Sequence, residues 1–305
     1  MNTPSELLTV ARHLGELTRE VVFVGGMVRQ LLITDPAAGP ARPTRDVDCV
    51  ANVSGMGEYA QLVQTLRERG FQECTDEGTP LCRWVIDDVR VDVMPVDPSV
   101  LGFSNVWYPS ALHQPLQFTT PDGSIQVVDA PHFCATKLES FLARADGDFY
   151  HHDLEDVLAL VDARAELLNE LTSAPAAVRI FVATQFAVWL ENQEFLEALP
   201  GHLQGDPASQ ARLPLLRQRL ERIAALTAGT DAESRRLGLV DVRSSNITSI
   251  AYDSASHVLT VEFHGGRLYA YDNVPPTIHQ GLMAAASHGR FFHQWIKDRY
   301  PARRI

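Results

Sequence analysis

The 305-residue chain is expected to fold as an α+β protein: a mixed sheet with flanking helices, a helical second region, and a small sheet followed by two helices at the C-terminus. Three observations predict this. Short strand-like runs at 21–24, 82–86 and 89–93 alternate with segments whose apolar residues recur every three to four positions. From Pro131 to Leu226 the pattern is helical. After Ile247 the period returns to two and then ends helical. These shifts place domains at 1–128, 129–228 and 239–305, with the small, charged segment 228–238 as a linker.

Each element follows from local pattern. Leu7, Leu8, Ala11, Leu14 and Leu17 lie at helical spacing, so 5–19 reads as an amphipathic helix capped by Ser5. The run 21–24 is a buried strand, Gly25-Gly26 its exit turn, and 27–32 the next helix. Three prolines between Thr34 and Thr44 mark a loop or lid. Residues 58–69 are helical, and 71–75, 82–86 and 89–93 are strands, the last two joined at Asp87-Asp88. Asp129 caps a helix opened by Pro131, on which Lys137, Leu138, Phe141 and Leu142 are spaced along one stripe. Helices follow at 153–163, 178–197 and 214–226, with a polar connector at 200–210. In the tail, 247–252, 258–263 and 267–271 are strands, the last two joined at Gly265-Gly266, and 277–287 and 290–299 are helices.

The chemistry resides in three acids. Successive strand residues point to opposite faces, so Asp46 and Asp48 share one face while Val47 and Cys49 pack on the other. Asp92 stands in Val89-Arg90-Val91-Asp92-Val93, where the same alternation sets an acid against three valines. Converging carboxylates repel unless a cation lies between them. Hard oxygen donors without a Cys or His cluster favour Mg²⁺ or Mn²⁺ over Zn²⁺. Such ions activate a hydroxyl and hold a triphosphate for in-line displacement. Gly25 and Gly26, at a strand-to-helix turn, let phosphate oxygens approach backbone N–H groups at a helix N-terminus.

Gly25-Gly26, Asp46-Val47-Asp48 and Asp92 in this order resemble the nucleotidyltransferase (polymerase beta-like) superfamily, whose pattern is a Gly-Gly turn, Asp-x-Asp and a later third carboxylate. Two branches look similar. Val24 to Leu32 with Arg45-Asp46-Val47-Asp48 resembles the tRNA CCA-adding enzymes, with Gln30 where those usually carry Asp. Ala135 to Arg144 followed by Asp153-Leu154-Glu155-Asp156 looks like the AbiEii and MenA-type toxins. The resemblance implies metal binding by Asp46, Asp48 and Asp92, with Asp92 as base. It implies NTP binding by Gly25, Gly26, Arg29, Arg45 and Lys137, with Asp153 and Asp156 in support. A toxin role would bring an antitoxin partner. On the residues alone, Lys137 is also a snorkelling lysine, and Asp153 and Asp156 are also ordinary N-terminal helix acids.

Other chemistries are unsupported. His151-His152-Asp153 suggests a metal phosphohydrolase, but only His132 is available as the upstream histidine such a site needs. No Gly-x-Ser-x-Gly elbow supports Ser-His-Asp hydrolysis. Cys49, Cys74, Cys82 and Cys134 lack Cys-x-x-Cys spacing, as expected of reduced thiols. No apolar run reaches about 18 residues and no signal-like N-terminus is present, so a cytoplasmic protein away from the membrane is expected.

The net charge is −12, unevenly spread. From Arg235 onward nine Lys/Arg face five Asp/Glu, whereas the rest carries 17 against 33. An acidic body does not steer a polyanion at long range, so RNA would have to be held by local basic patches, by metal ions or by the basic tail. Val242 to Ile247, Tyr252-Asp253, Tyr269-Ala270-Tyr271, Val274-Pro275 and Ser287 to Phe292 resemble the KTSC domain, a module also found after some lysyl-tRNA synthetases and proposed to bind RNA. Tyr269 and Tyr271 share a sheet face and either stack bases or pack beneath the helices. Arg243, Arg267, Arg290 and Lys297 are the expected phosphate contacts. The expected activity is metal-dependent transfer of NMP from an NTP to RNA or tRNA. The alternatives are a protein or small-molecule acceptor, or a non-catalytic RNA-binding protein.

Overall fold

A computed structural model describes the chain except residues 1–2, 36, 39–43, 45, 76–77, 230–238, 243, 245, 254–255, 265 and 286. The fold is mixed α+β, in two compact units: residues 1–170 with 193–219, and residues 171–192 with 220–305.

The first unit is built on a seven-stranded sheet. Its strands are β1 (Val21–Val24), β2 (Asp46–Ala51), β3 (Gln72–Glu73), β4 (Arg83–Ile86), β5 (Val89–Pro95), β6 (Leu116–Thr120) and β7 (Gly123–Val127). Their order is β3-β4-β5-β2-β1-β7-β6. β2 pairs antiparallel with β1 and parallel with β5, and β1 pairs parallel with β7. Central β1 is buried along its whole length, as its unbroken apolar run requires. β4 and β5 join at Asp87 and Asp88, both at positive φ (45° and 63°), the backbone a two-residue hairpin turn demands.

Helices α1 (Ser5–Leu14), α2 (Gly25–Leu32), α3 (Met56–Glu68), α4 (Pro98–Leu101), α5 (Tyr108–Ala111), α6 (Ala130–Arg144) and α7 (His152–Ala163) surround this sheet. α1 inserts Leu7, Val10, Ala11 and Leu14. α2, α6 and α7 pack on one another beside the sheet. α6 carries the expected cap, with Asp129 accepting from the His132 N–H at 2.8 Å and proline in its first turn.

The later helices are α8 (Leu167–Ser173), α9 (Ala176–Leu190), α10 (Gln193–Ala198), α11 (Pro207–Gln210) and α12 (Leu213–Ala224). The single helix expected at 178–197 is two. The chain turns after α9 because α9 belongs to the second unit and α10 to the first. Thus the units are cut differently from the three sequence segments: α6 and α7 share the first unit with the sheet, and α9 shares the second with the tail.

The second unit holds an antiparallel sheet, β12-β11-β10-β9-β8, made of β8 (Val240–Asp241), β9 (Ile247–Asp253), β10 (Val258–Phe263), β11 (Arg267–Tyr271) and β12 (Ala302–Arg304). Helices Pro276–Ala284 and His288–Trp295 cover it around a core of Ile247, Ile250, Leu259, Val261, Leu282 and Phe292. α9 packs against β11. The β6–β7 hairpin and strands β8 and β12 carry too little apolar alternation to be read from sequence. β8 spans two residues and β12 three, and neighbouring strands define both.

Candidate functional site

The parallel register of β2 and β5 sets Asp48 directly opposite Asp92, and Asp46 opposite Arg90. On the other side β1 places Val24 opposite Asp48. Gly25 therefore begins α2 against the Asp48 carboxylate, with φ +73°. A Cβ there would lie 1.9 Å from Asp48 Oδ2, so the site's geometry requires glycine on both steric and backbone grounds. Gly26 is close to a different acid, its Cβ position being 3.1 Å from Asp156 Oδ2.

Gly25, Asp48, Asp92, Arg83, Lys137 and Asp153 line one cleft of about 320 Å³. Arg83 grips Asp92 through two bonds, Nε to Oδ1 at 2.8 Å and Nη2 to Oδ2 at 2.7 Å, and its Nη2 lies 3.9 Å from Asp46. Arg90 Nε is 2.9 Å from Asp46. A fixed cation thus already stands among the acids, the arrangement their mutual repulsion calls for. Asp48 has a raised carboxyl pKa of about 7: burial is the main cause and the charges of Asp92 and Asp46 add to it, against Lys137 and Arg83. A carboxylate so destabilised gains the most from a bound divalent ion. The cluster's oxygen donors suit Mg²⁺ or Mn²⁺.

Along one wall of the cleft runs a charge network, buried except for Arg144. Lys137 Nζ bridges Asp153 (2.9 Å) and Asp156 (2.7 Å). Arg144 Nη2 meets Asp153 at 2.6 Å, and Arg29 Nη1 meets Asp156 at 2.5 Å. Burial opposes the Lys137 charge, but the charges and hydrogen bonds of Asp156 and Asp153 outweigh it and hold the ammonium's pKa above its usual value. Burial likewise opposes the Asp153 charge, and Lys137 and Arg144 hold its carboxyl below the usual range.

The sequence reading placed Arg29 at the phosphates. Arg29 instead is 1% exposed, is absent from the cleft lining, and holds Asp156 between α2 and α7. Arg45 lies outside the described residues. Arg83 and Arg144 were missed. Arg83 sits at Asp92's cross-strand position on β4, a spacing visible only once the hairpin register is known.

Two constellations with the residue types of a catalytic or metal site serve as helix caps instead. Ser110 Oγ, His132 Nε2 and Asp129 form a hydrogen-bonded string, with steps of 2.8 Å and 2.7 Å. Asp129 Oδ1 also caps α6, and none of the three lines the cleft, so the string ties α5 to α6. His151, His152 and Asp153 bring ligand atoms within 4.8 Å of one another. However, His151 Nδ1 accepts the Asp153 N–H at 3.2 Å as the cap of α7, and Asp153 is committed to Lys137 and Arg144.

In the second unit, Tyr271 is 6% exposed and meets the Phe292 ring edge-on at 5.4 Å, which leaves it no face for a base. Tyr269 is half-buried against Phe263. Sheets this small need such rings for a core. Arg290 and Lys297 are exposed, Arg267 is partly so, and Arg243 lies outside the described residues.

Comparison with known proteins divides along the chain. The KTSC domain family matches residues 243–300. A protein of Stutzerimonas stutzeri is 43% identical over 61 residues, 20% of this chain and 86% of that protein. A lysine–tRNA ligase of Trichormus variabilis is 37% identical over 62 residues, 20% of this chain but 11% of the ligase. A crystal structure of a KTSC domain protein from Yersinia pestis is 41% identical, covering 22% of this chain and 94% of that one, with a TM-score of 0.21. An antigenic nucleotidyltransferase-like protein from Paracoccidioides brasiliensis is 15% identical, covering 63% of this chain and 90% of its own, with a TM-score of 0.36. Among the described residues no helix is long and apolar enough to cross a membrane.

Proposed function

We propose that this chain, whose C-terminal part belongs to the KTSC family, is a metal-dependent nucleotidyltransferase that moves NMP from an NTP to a hydroxyl acceptor, RNA or tRNA first. One observation carries the reading: Asp48 stands opposite Asp92 in a cleft entered by the Gly25 turn, with Asp46 on the same face of β2 just outside the cleft lining. The residues fit a metal in their chemistry: Asp48 and Asp92 offer oxygen donors directly opposite each other beside Arg83, and Asp46, held by Arg90 at 2.9 Å, would join them by leaving that partner.

Asp46, Asp48 and Asp92 would hold Mg²⁺ or Mn²⁺, which when bound supplies Lewis-acid chemistry to the phosphates. Asp92 takes the proton of the acceptor hydroxyl once Arg83 yields its grip. Backbone N–H groups at Gly25 and Gly26 receive phosphate oxygens at the start of α2. Lys137, whose ammonium has a third N–H beyond the two bonded to Asp153 and Asp156, adds positive charge at the cleft wall. Asp153 and Asp156 fix that ammonium in place.

The basic charge of the tail favours RNA as acceptor, with Arg243, Arg267, Arg290 and Lys297 as phosphate contacts and Tyr269 as the remaining tyrosine with a partly open ring. A protein hydroxyl or small molecule is the second choice, and a toxin role would add an antitoxin as partner. The test is incubation with each labelled NTP, Mg²⁺ and total RNA, beside Asp48→Asn. Label should enter RNA only with the parent chain and only with metal. Equal labelling by Asp48→Asn would overturn the site. NTP binding without transfer would leave a non-catalytic nucleotide-binding protein.

A further inference from the structure

The cleft is chemically two-sided. Beside its charged residues it is lined by Pro80, Met94, Phe103 and Tyr108. Phe103 is the one exposed phenylalanine among the described residues, at 45%, and unlike the exposed Tyr150 and Trp295 it lines the cleft. An isolated exposed apolar side chain calls for no explanation, but this one stands on the wall of a charged cleft.

The loop that carries it is tied down on both sides. Asp97 caps α4 by accepting the Ser99 N–H at 2.8 Å. Gly102, at φ +80°, closes that helix with its N–H on the Pro98 carbonyl at 2.8 Å, a left-handed C-terminal turn that aims the next residue outward. Beyond Phe103, Ser104 Oγ donates to the Val96 carbonyl at 2.9 Å. Buried Asn105 donates to the Thr136 carbonyl at 2.9 Å and accepts the Trp107 N–H at 3.0 Å. An aromatic face held open on an anchored loop loses little conformational entropy when something stacks on it.

We propose that Phe103 is the nucleobase platform of the cleft and stacks the base of the incoming nucleoside triphosphate, while the phosphates lie toward Gly25, Asp48 and Lys137. This rests on the nucleotide-transfer reading above. A triphosphate bearing a planar π-system is the ligand that uses both a charged half and an apolar half with an open ring. Stacking is tolerant of base identity, so the platform raises affinity for every NTP, and choice among bases comes from the polar groups around it.

Affinities for ATP and for inorganic tripolyphosphate, each with Mg²⁺, separate the base from the phosphates. They should be measured by calorimetry on the parent chain, Phe103→Ala and Phe103→Trp. Since Phe103 is exposed, all three should fold, and circular dichroism checks that they do. The parent should bind ATP more tightly than tripolyphosphate. Phe103→Ala should weaken ATP about tenfold or more without changing tripolyphosphate, and Phe103→Trp should restore ATP. Unchanged ATP affinity in Phe103→Ala, or equal loss of both ligands, overturns the platform and leaves the nucleotide reading standing. Absence of ATP binding by the parent chain overturns both.

Discussion

At the residue scale, Asp48 combines two properties that pull against each other: a position fixed between Val24 and Asp92, and a charge the surroundings disfavour. Its folded pKa near 7 lies above the ordinary 3.8, so between these values the folded chain holds a proton the unfolded chain has released. Metal-free stability therefore falls as pH rises from about 4 to about 7. Asp48→Asn removes that loss. With chelator present it should be more stable than the parent at pH 8, on the order of 4 kcal/mol before screening, with the advantage gone below about pH 4. Urea midpoints at the two pH values check this, and a pH-independent difference would contradict it. Asp156 makes the opposite case. It is 1% exposed between Arg29 and Lys137, so Asp156→Asn leaves buried cations under-compensated and should cost about 3–5 kcal/mol in urea unfolding. Asp48 and Asp92 in the cleft, and Asp46 beside it, were legible in sequence because strand alternation fixes which side chains share a face. Arg29 was misplaced because a helix following a phosphate-type turn has one face toward the site and another toward its neighbours. Only the packing of α2 on α7 decides which face Arg29 occupies.

At the element scale, the β1–α2 turn is where backbone and site chemistry are most tightly linked. Gly25→Ala meets both a positive φ and a 1.9 Å approach to Asp48, so it should cost about 1–3 kcal/mol and displace the carboxylate the proposed metal needs. Gly26→Ala meets the Asp156 oxygen at 3.1 Å without a positive φ, so its loss should be smaller. Thermal midpoints with and without Mg²⁺ and ATP distinguish the two. Equal losses would mean that the turn matters for packing alone. Strands β4 and β5 and helices α2, α3, α6 and α7 were readable because each pairs a clear period with a cap or turn signal. The β6–β7 hairpin was not, since Leu116–Thr120 alternates only weakly and its place is set by β7 pairing with β1 at Phe23 and Val127. Likewise the break between α9 and α10 has no Gly or Pro to announce it, because it reflects membership in two different cores.

At the scale of the whole molecule, the −12 net charge resides in the body, and the tail carries the cationic surplus. Removing the tail is the obvious test of an RNA role, but α9 complicates it. Its buried residues Val178, Phe181, Val182, Phe186 and Trp189 belong to the unit formed by 171–192 with 220–305. A chain ending near Gly229 should therefore uncover an apolar helix, bind a hydrophobic dye and associate, even with the first unit's cleft retained. Charge substitution in the intact chain avoids this. Arg290, Lys297 and Arg299 are exposed and outside the core of the small sheet, so Arg290→Gln, Lys297→Gln and Arg299→Gln together should leave folding unchanged. If these side chains neutralise RNA phosphates, each releases counterions on binding. The slope of log affinity against log salt should then shrink by about 2 for the triple variant on single-stranded RNA. ATP affinity should stay at the parent value. An unaltered slope would mean that RNA is not held on this face, and a protein hydroxyl would then move ahead of RNA as the expected acceptor.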